Sequence, residues 1–319
     1  MKKTTTVFAL ILLITFAFFS GCVSQKEDNG VDVNTTPITP PEKTVSYLKA
    51  KVTLSKPYDL SDLNSSRQKV VIIRDYGTKI IAEVTLYTED YYVNEYSLLP
   101  VIVTEEDALK AFNSLPKDAK LYVLPEDMLY GTPGSGTVGW GSDMRKLATS
   151  YATDANYSAI GTAYLIMNGQ KEVIIVDESP YQKNGYQYWW LQHATDTISG
   201  DSHKALGYGP YATLYTALLR SVMLPTKLVY GLYYDIEEGG AWKPYCWTEI
   251  YVDGKWIPVD PYRQKIGTLS RYYLKLDETP DLVELDFSCY ISEKEGKGCK
   301  PFQIDILEQG TVPESQIKK

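Results

Sequence analysis

The chain is 319 residues long, 44% of its residues are apolar, and its formal net charge is −8. The apolar fraction is that of a globular protein, and the negative charge argues against nucleic acid and anionic lipid as binding partners. The only histidines are His193 and His203, and no HExxH or paired-cysteine motif occurs. The sequence therefore indicates neither a metal site nor a cofactor.

The N-terminus has the pattern of an export signal. Lys2 and Lys3 form a positively charged start, and residues 7–19 form an apolar run that is short for a membrane span. Residues 19–22, Phe-Ser-Gly-Cys, resemble the lipobox at which prokaryotic lipoproteins are processed. The resemblance implies a signal peptide over residues 1–21 and a lipid on the Cys22 thiol. We therefore predict a cell-envelope protein that is anchored to the outer face of the membrane.

The segment that begins at Cys22 predicts a tether. Residues 22–44 are polar and contain three prolines, so they have too little apolar surface to fold, and the prolines stiffen the chain. The rest of the chain, about 275 residues, is long enough for one large domain or two modest ones.

Residues 45–130 predict a small β-rich domain. Apolar and polar residues alternate over 82–86, which is typical of a half-buried strand. A helix is predicted to start at Thr104, because Thr104 and Asp107 match a capping box, and to stop before Pro116.

A glycine-rich stretch over residues 131–141 predicts a connector between domains. Gly134, Gly136 and Gly139 match the GxGxxG spacing of dinucleotide-binding loops. However, Pro133 stands where a strand should end, and no acidic partner is evident at the expected distance. We interpret the stretch as a loop.

Helical patterns follow the connector. Ser142 is predicted to cap a helix that runs through residue 149, with Met144, Leu147 and Ala148 facing inward. A second helix is predicted over residues 159–167.

The clearest pattern lies in residues 206–261. Apolar side chains recur at helical spacing, which predicts a buried helix over residues 210–223. Three strands are predicted after it, over residues 227–230, 247–252 and 255–259, and a tight Asp253-Gly254 turn joins the last two. The prediction is an α+β fold in which a helix packs on an antiparallel sheet.

This region resembles the core of the transglutaminase-like superfamily of cysteine hydrolases and transferases. The resemblance rests on a set of residues with equivalents in that family: Gly207, Ala212, Ala217, Leu218, Leu219, Arg220, Leu224, Pro225, Gly231, Trp247, Glu249, Trp256, Val259, Asp260 and Pro261. It implies a transglutaminase-like domain over residues 142–285, with a C-terminal extension over 286–319.

The resemblance also implies where a catalytic triad would lie. In the family, a cysteine at a helix N-terminus is the nucleophile, a histidine in a His-x-Trp strand is the base, and an aspartate at the end of the next strand orients the histidine. The corresponding residues here are Tyr208, Tyr245 and Asp260. A phenol has a pKa of about 10 and does not replace a thiolate or an imidazole at neutral pH. We therefore predict a domain that has kept the fold and lost the chemistry.

The replaced site suggests a binding role. Tyrosine is unusually frequent, with 27 residues against 7 phenylalanines. We predict an aromatic cleft that binds a peptide, a glycan or an envelope protein, formed by Tyr188, Trp190, Tyr208, Tyr211, Tyr245 and Trp247. The alternative is that these rings only fill the core and its rim.

Two other functions stay open at this stage. The chain could be an active cysteine hydrolase or acyltransferase that uses Cys246 with His193 or His203 as the base, or a purely structural envelope component. Cys246 follows Tyr245 directly, so on a strand it should point to the opposite face. Cys289 and Cys299 flank a polar loop, and an oxidising exterior favours a disulfide between them.

Overall fold

The computed structural model describes residues 42–55, 60, 63–177, 191–199, 203–237, 239–285 and 302–317. Contacts divide the chain after Pro41, and all described residues belong to the second unit, Glu42–Lys319. Within these residues no helix is both long and apolar enough to cross a membrane. The predicted signal peptide, Cys22, Tyr188, Trp190, Cys289 and Cys299 lie outside the described residues.

The described elements are helices, strands and short 3-10 turns. The helices are α1 (Glu105–Ser114), α2 (Glu126–Tyr130), α3 (Ser142–Asp154), α4 (Ala159–Val173), α5 (Ala194–Ser199) and α6 (Tyr208–Ser221). The strands are β1 (Thr44–Ser55), β2 (Gln68–Asp75), β3 (Lys79–Tyr87), β4 (Glu89–Asp90), β5 (Ile175–Val176), β6 (Lys204–Ala205), β7 (Thr226–Asp235), β8 (Ala241–Val252), β9 (Lys255–Asp260), β10 (Lys265–Ile266), β11 (Thr268–Leu269), β12 (Tyr273–Thr279) and β13 (Phe302–Pro313). The 3-10 turns are Lys120–Val123, Leu282–Glu284 and Glu314–Gln316.

The first sheet combines both ends of the described chain. Its strand order is β13-β1-β3-β2, and all its neighbours are antiparallel. On β3, the side chains of Ile80, Ala82, Val84 and Leu86 are buried and alternate with less buried neighbours, as the sequence pattern predicts. The segment that the sequence assigns to a C-terminal extension supplies β13, which pairs with β1 along almost its whole length.

The helix after this sheet begins and ends where its local sequence predicts. The Thr104 side chain accepts a hydrogen bond from the Asp107 N–H, and the Asp107 carboxylate accepts one from the Thr104 N–H at 2.9 Å. This reciprocal pair is the predicted capping box. The helix ends at Ser114, two residues before Pro116.

Two details predicted for the next helix are wrong. The N-cap of α3 is Gly141, whereas Ser142 is the first helical residue and makes no capping hydrogen bond. The helix also continues to Asp154, five residues beyond the predicted end. Met144 and Ala148 are buried as predicted, but Leu147 is 36% exposed, because the buried stripe continues through Ala152.

The core is α6 packed on a five-stranded antiparallel sheet, with strand order β10-β9-β8-β7-β12. Every residue of α6 is buried, because the sheet covers one side and α3, α4 and α5 cover the other. At the β8–β9 turn, Asp253 and Gly254 both have positive φ values, 49° and 80°, as a tight primed hairpin turn requires. The predicted α+β class is confirmed.

The glycine-rich connector is a loop whose backbone N–H groups are occupied by two carboxylates. The N–H groups of Gly134 and Gly136 donate to the Glu126 carboxylate at 2.8 and 2.7 Å. Those of Thr137 and Val138 donate to Asp281 at 2.7 and 2.8 Å. These N–H groups bind internal anions, which agrees with the interpretation of residues 131–141 as a structural loop.

Candidate functional site

The site lies where the N-terminus of α6 meets β8 and β9. Tyr208 is the first residue of α6, Tyr245 lies on β8, and Asp260 is the last residue of β9. Gly207 precedes the helix with φ 109°, a left-handed conformation that only glycine adopts without strain.

The structure brings the three triad positions together. The Tyr245 hydroxyl donates to both carboxylate oxygens of Asp260, each at 3.0 Å. The rings of Tyr208 and Tyr245 pack at a centroid distance of 4.6 Å. The residues that the family pattern selects thus form one cluster at a helix N-terminus.

Asp260 is the centre of a buried hydrogen-bond network. Besides the Tyr245 hydroxyl, the Tyr273 hydroxyl donates to the Asp260 carboxylate at 2.5 Å, and the backbone N–H of Arg263 donates to it at 2.9 Å. Only 2% of Asp260 is exposed. Burial raises the pKa of Asp260 above its ordinary value, and the hydrogen bonds from Tyr273, Arg263 and Tyr245 oppose that rise.

The phenols of this network stay protonated at neutral pH. Burial, followed by the charge of Asp260, raises the pKa of Tyr245 well above its ordinary value. The same two causes raise the pKa of Tyr273. A protonated phenol donates a hydrogen bond, and the network therefore holds the Asp260 carboxylate in place.

Aromatic rings fill the space around the triad positions. Tyr245 packs against Tyr233 at 5.3 Å and against Tyr273 at 5.9 Å, measured between ring centroids. Trp247 packs edge-on against Tyr273 at 5.4 Å, and Tyr262 packs against Tyr208 at 5.0 Å. The cluster is a small aromatic core in its own right.

This packing bears on the predicted aromatic cleft. Tyr208 is 7% exposed, Tyr211 and Trp247 are 1% exposed, and Tyr245 is fully buried. These four rings contact other protein groups and present almost no surface on which a ligand could stack. The geometry therefore favours the alternative in which they fill the core.

A charged group borders the cluster. Asp235 forms ion pairs with Lys243 at 2.9 Å and with Arg263 at 3.2 Å. Lys243 also donates to the Tyr208 hydroxyl at 3.4 Å, and the Arg263 guanidinium lies 4.0 Å from the centre of the Tyr233 ring. These contacts fix the rings from the solvent side.

Sequence reasoning did not find Tyr233, Tyr273, Lys243, Asp235 or Arg263. They lie on β7, β8, β12 and the turn after β9, and only the sheet order brings them to one place. The excess of tyrosine over phenylalanine is the one sequence signal that points to such a cluster.

Cys246 has the surroundings of a structural cysteine. It is 2% exposed and packs in the main core, whereas Tyr245 and Trp247 belong to the aromatic cluster on the other face of β8. Burial raises the pKa of its thiol, which disfavours the thiolate that a nucleophile needs. It is a free cysteine.

The two histidines have partners of their own. His193 lies 3.3 Å from the Glu126 carboxylate, and its other ring nitrogen lies 2.6 Å from the Thr195 hydroxyl. His203 Nδ1 lies 3.0 Å from the Ile198 carbonyl. Among the described residues, no group of three or more His, Cys, Asp or Glu side chains is arranged to hold a metal ion.

Comparison with known proteins supports the fold of this region. Residues 156–261, about a third of the chain, match the model of the transglutaminase-like superfamily, and the match contains Tyr208, Tyr245 and Asp260. The chain thus carries a transglutaminase-like domain. No curated protein sequence matches the chain.

Three solved structures are among those that a structural search matches to this chain. A candidate cysteine protease from Cytophaga hutchinsonii is 12% identical, with 84% of this chain and 88% of that chain covered and a TM-score of 0.47. LapG from Legionella pneumophila is 15% identical, with 50% and 93% covered and a TM-score of 0.31. Red sea bream transglutaminase is 12% identical, with 67% and 46% covered and a TM-score of 0.32.

Proposed function

We propose that this chain is a catalytically inactive transglutaminase-like protein of the prokaryotic cell envelope, with a binding or structural role. The observation that carries the proposal is the Tyr245 hydroxyl bound to Asp260 at 3.0 Å, where an active site would hold an imidazole. The Tyr208 ring stands where the thiol would be and packs on Tyr245.

Acyl transfer by this fold needs a thiolate and a base of intermediate pKa. Tyr208 offers a phenol, and the pKa of Tyr245 is raised further by burial. Cys246 offers a thiol on the other face of the strand, and burial raises its pKa as well. Because no described cysteine lies on the side of Asp260, the alternative of an active cysteine enzyme has little support.

The test is a search for turnover with matched variants. The purified protein is incubated with a glutamine-containing protein and a primary amine for transfer, and with peptide mixtures for hydrolysis. We expect product only at the background level, and no difference between the wild type and Asp260→Ala. Turnover that survives purification and disappears in Asp260→Ala would overturn the proposal.

A double variant provides the positive control. Tyr208→Cys/Tyr245→His restores the family's residue types at both positions. If it folds, as circular dichroism shows, its introduced thiol should react with iodoacetamide at neutral pH. In the wild type, Cys246 should react only after unfolding, because it is buried, and mass spectrometry of the peptides distinguishes it from Cys22, Cys289 and Cys299. Rapid alkylation of Cys246 in the folded wild type would instead favour it as a nucleophile.

The envelope location rests on the lipobox-like sequence that ends at Cys22. In cells fed a labelled fatty acid, we expect the wild type to incorporate label and sediment with membranes. Cys22→Ala should lose the label. Equal labelling of the two proteins, or none in the wild type, would contradict lipid anchoring at this residue.

A further inference from the structure

The loop between β4 and α1, residues 91–104, exposes several large apolar side chains. The exposed fraction is 79% for Tyr92, 89% for Tyr96, 72% for Leu98, 54% for Val101 and 82% for Val103. Single exposed apolar residues are ordinary on a protein surface, but a concentration of them in one segment marks an interaction site.

This loop is anchored at two places, so the apolar side chains are presented on an ordered support. Asn94 Nδ2 donates to the Asp253 carboxylate at 2.6 Å, and the Ser97 hydroxyl donates to the same group. Asp253 lies at the β8–β9 turn, so this contact ties the loop to the core sheet.

A second anchor ties the loop to the α3–α4 connection. The Leu99 N–H donates to the Tyr157 carbonyl at 2.7 Å, and the Ala159 N–H donates to the Ser97 carbonyl at 2.8 Å. The Leu99 side chain faces inward and is 6% exposed. Order in the free protein lowers the entropic cost of binding.

The charge along this segment has one sign. Residues 80–109 contain seven acidic residues and no lysine or arginine. Exposed acids flank the apolar side chains: Asp90, Glu95, Glu105 and Glu106. An apolar segment with exposed acids before, within and after it, which we call its acidic rim, is complementary to a surface in which apolar side chains are bordered by cations.

We propose that loop 91–104 is a docking surface for a polypeptide whose apolar side chains are flanked by lysine or arginine. The acidic rim would repel an anionic lipid surface, and in a second copy of this chain it would face its own charge. The proposal concerns a surface outside the triad positions, so it stands or falls independently of the loss of catalysis.

The probe is a short synthetic peptide composed of lysine, leucine and tryptophan, whose binding is followed by fluorescence anisotropy at low and high salt. Two matched peptides carry glutamate in place of lysine, or serine in place of leucine and tryptophan. We expect the cationic apolar peptide to bind most tightly. Added salt should weaken it, because the charges are exposed.

Two double variants, one in the loop and one in the first turn of α1 that follows it, test the surface. Tyr96→Ser/Leu98→Ser should weaken the cationic apolar peptide by about tenfold or more, as expected when central aromatic and apolar contacts are removed. Glu105→Gln/Glu106→Gln should weaken it less and reduce the salt dependence. Tyr96 and Leu98 are exposed, so their replacement should leave the unfolding midpoint unchanged. Glu105 and Glu106 lie in the first turn of α1, so their neutralisation should lower the midpoint slightly.

Matched controls separate this surface from general attraction to an acidic protein. Val71→Ser/Ile73→Ser removes apolar side chains of β2 that are 61% and 56% exposed. Asp143→Asn/Glu172→Gln removes two exposed charges elsewhere. Neither should change the affinity. Equal weakening by loop and control variants, or equal binding of the glutamate peptide, would overturn the proposal.

Other occupants of the loop give distinct results. Binding of anionic vesicles that Tyr96→Ser/Leu98→Ser abolishes would replace the peptide with a lipid surface and overturn the proposal. A dimer in sedimentation analysis that the same variant dissociates would replace it with a second copy of the chain.

Discussion

The cluster at the triad positions and loop 91–104 are both rich in apolar and aromatic side chains, but they use them in opposite ways. Around Asp260 the rings are buried and contact one another, and the hydroxyls of Tyr245 and Tyr273 are bound to the Asp260 carboxylate. In loop 91–104 the backbone is hydrogen-bonded to the α3–α4 connection, whereas Tyr92 and Tyr96 extend into solvent.

This difference shows that aromatic content near the triad positions does not by itself identify a binding site. A ring that is fully packed stabilises the fold by removing its surface from water. A ring that is held in solvent on an ordered backbone retains that surface for a partner. The two regions should therefore respond differently to the same substitution.

The largest expected effect is on stability. Tyr245→Ala should lower the free energy of unfolding by about 3–5 kcal/mol, because it leaves a cavity in a packed core. Tyr96→Ala, the matched change in the loop, should change it by less than about 0.5 kcal/mol. Urea unfolding of both variants measures the two losses of unfolding free energy. Similar losses would show that the two tyrosines do not differ in their contribution to the fold.

Tyr245→Phe separates the hydroxyl from the ring. It keeps the packing but removes the donor to buried Asp260, so we expect a loss of about 1–3 kcal/mol. A neutral effect would mean that the hydrogen bond contributes nothing beyond the packing of the ring.

A smaller effect is the pH dependence of stability, which should have opposite signs for Asp260 and for Asp253, the carboxylate that anchors loop 91–104. Burial raises the pKa of Asp260, so its contribution to stability is present below the unfolded-state pKa of about 3.9 and is lost as pH rises through the folded-state pKa. Hydrogen bonds from Ser97 and Asn94 lower the pKa of Asp253. Its contribution is therefore present above the unfolded-state pKa and is lost as pH falls through the folded-state pKa.

Unfolding between about pH 3 and pH 7 tests these signs. The unfolding free energy of wild type minus that of Asp260→Asn should decrease as pH rises. The unfolding free energy of wild type minus that of Asp253→Asn should increase over the same range. The same sign for both variants would show that burial does not dominate at Asp260.

Much of the fold follows from local sequence. The Thr104–Asp107 capping box, the alternation along β3 and the Asp253-Gly254 turn each depend on residues that are close in the chain. The local sequence did not predict the N-cap of α3 or the exposure of Leu147 correctly. Both depend on what packs against the helix. The pairing of β1 with β13 joins strands from opposite ends of the chain and leaves no local pattern.

The sequence by itself, through its resemblance to the transglutaminase-like core, identified Tyr208, Tyr245 and Asp260 as the residues at the triad positions, because the helix, strands and turn that carry them are each encoded by nearby residues. Only the tertiary structure decided their environment. Tyr273 and Arg263 reach Asp260 through sheet order and a turn, and the burial of the rings depends on every layer that covers them. Burial and long-range pairing belong to the folded chain as a whole, so whether a tyrosine fills a core or faces a partner becomes visible only in three dimensions.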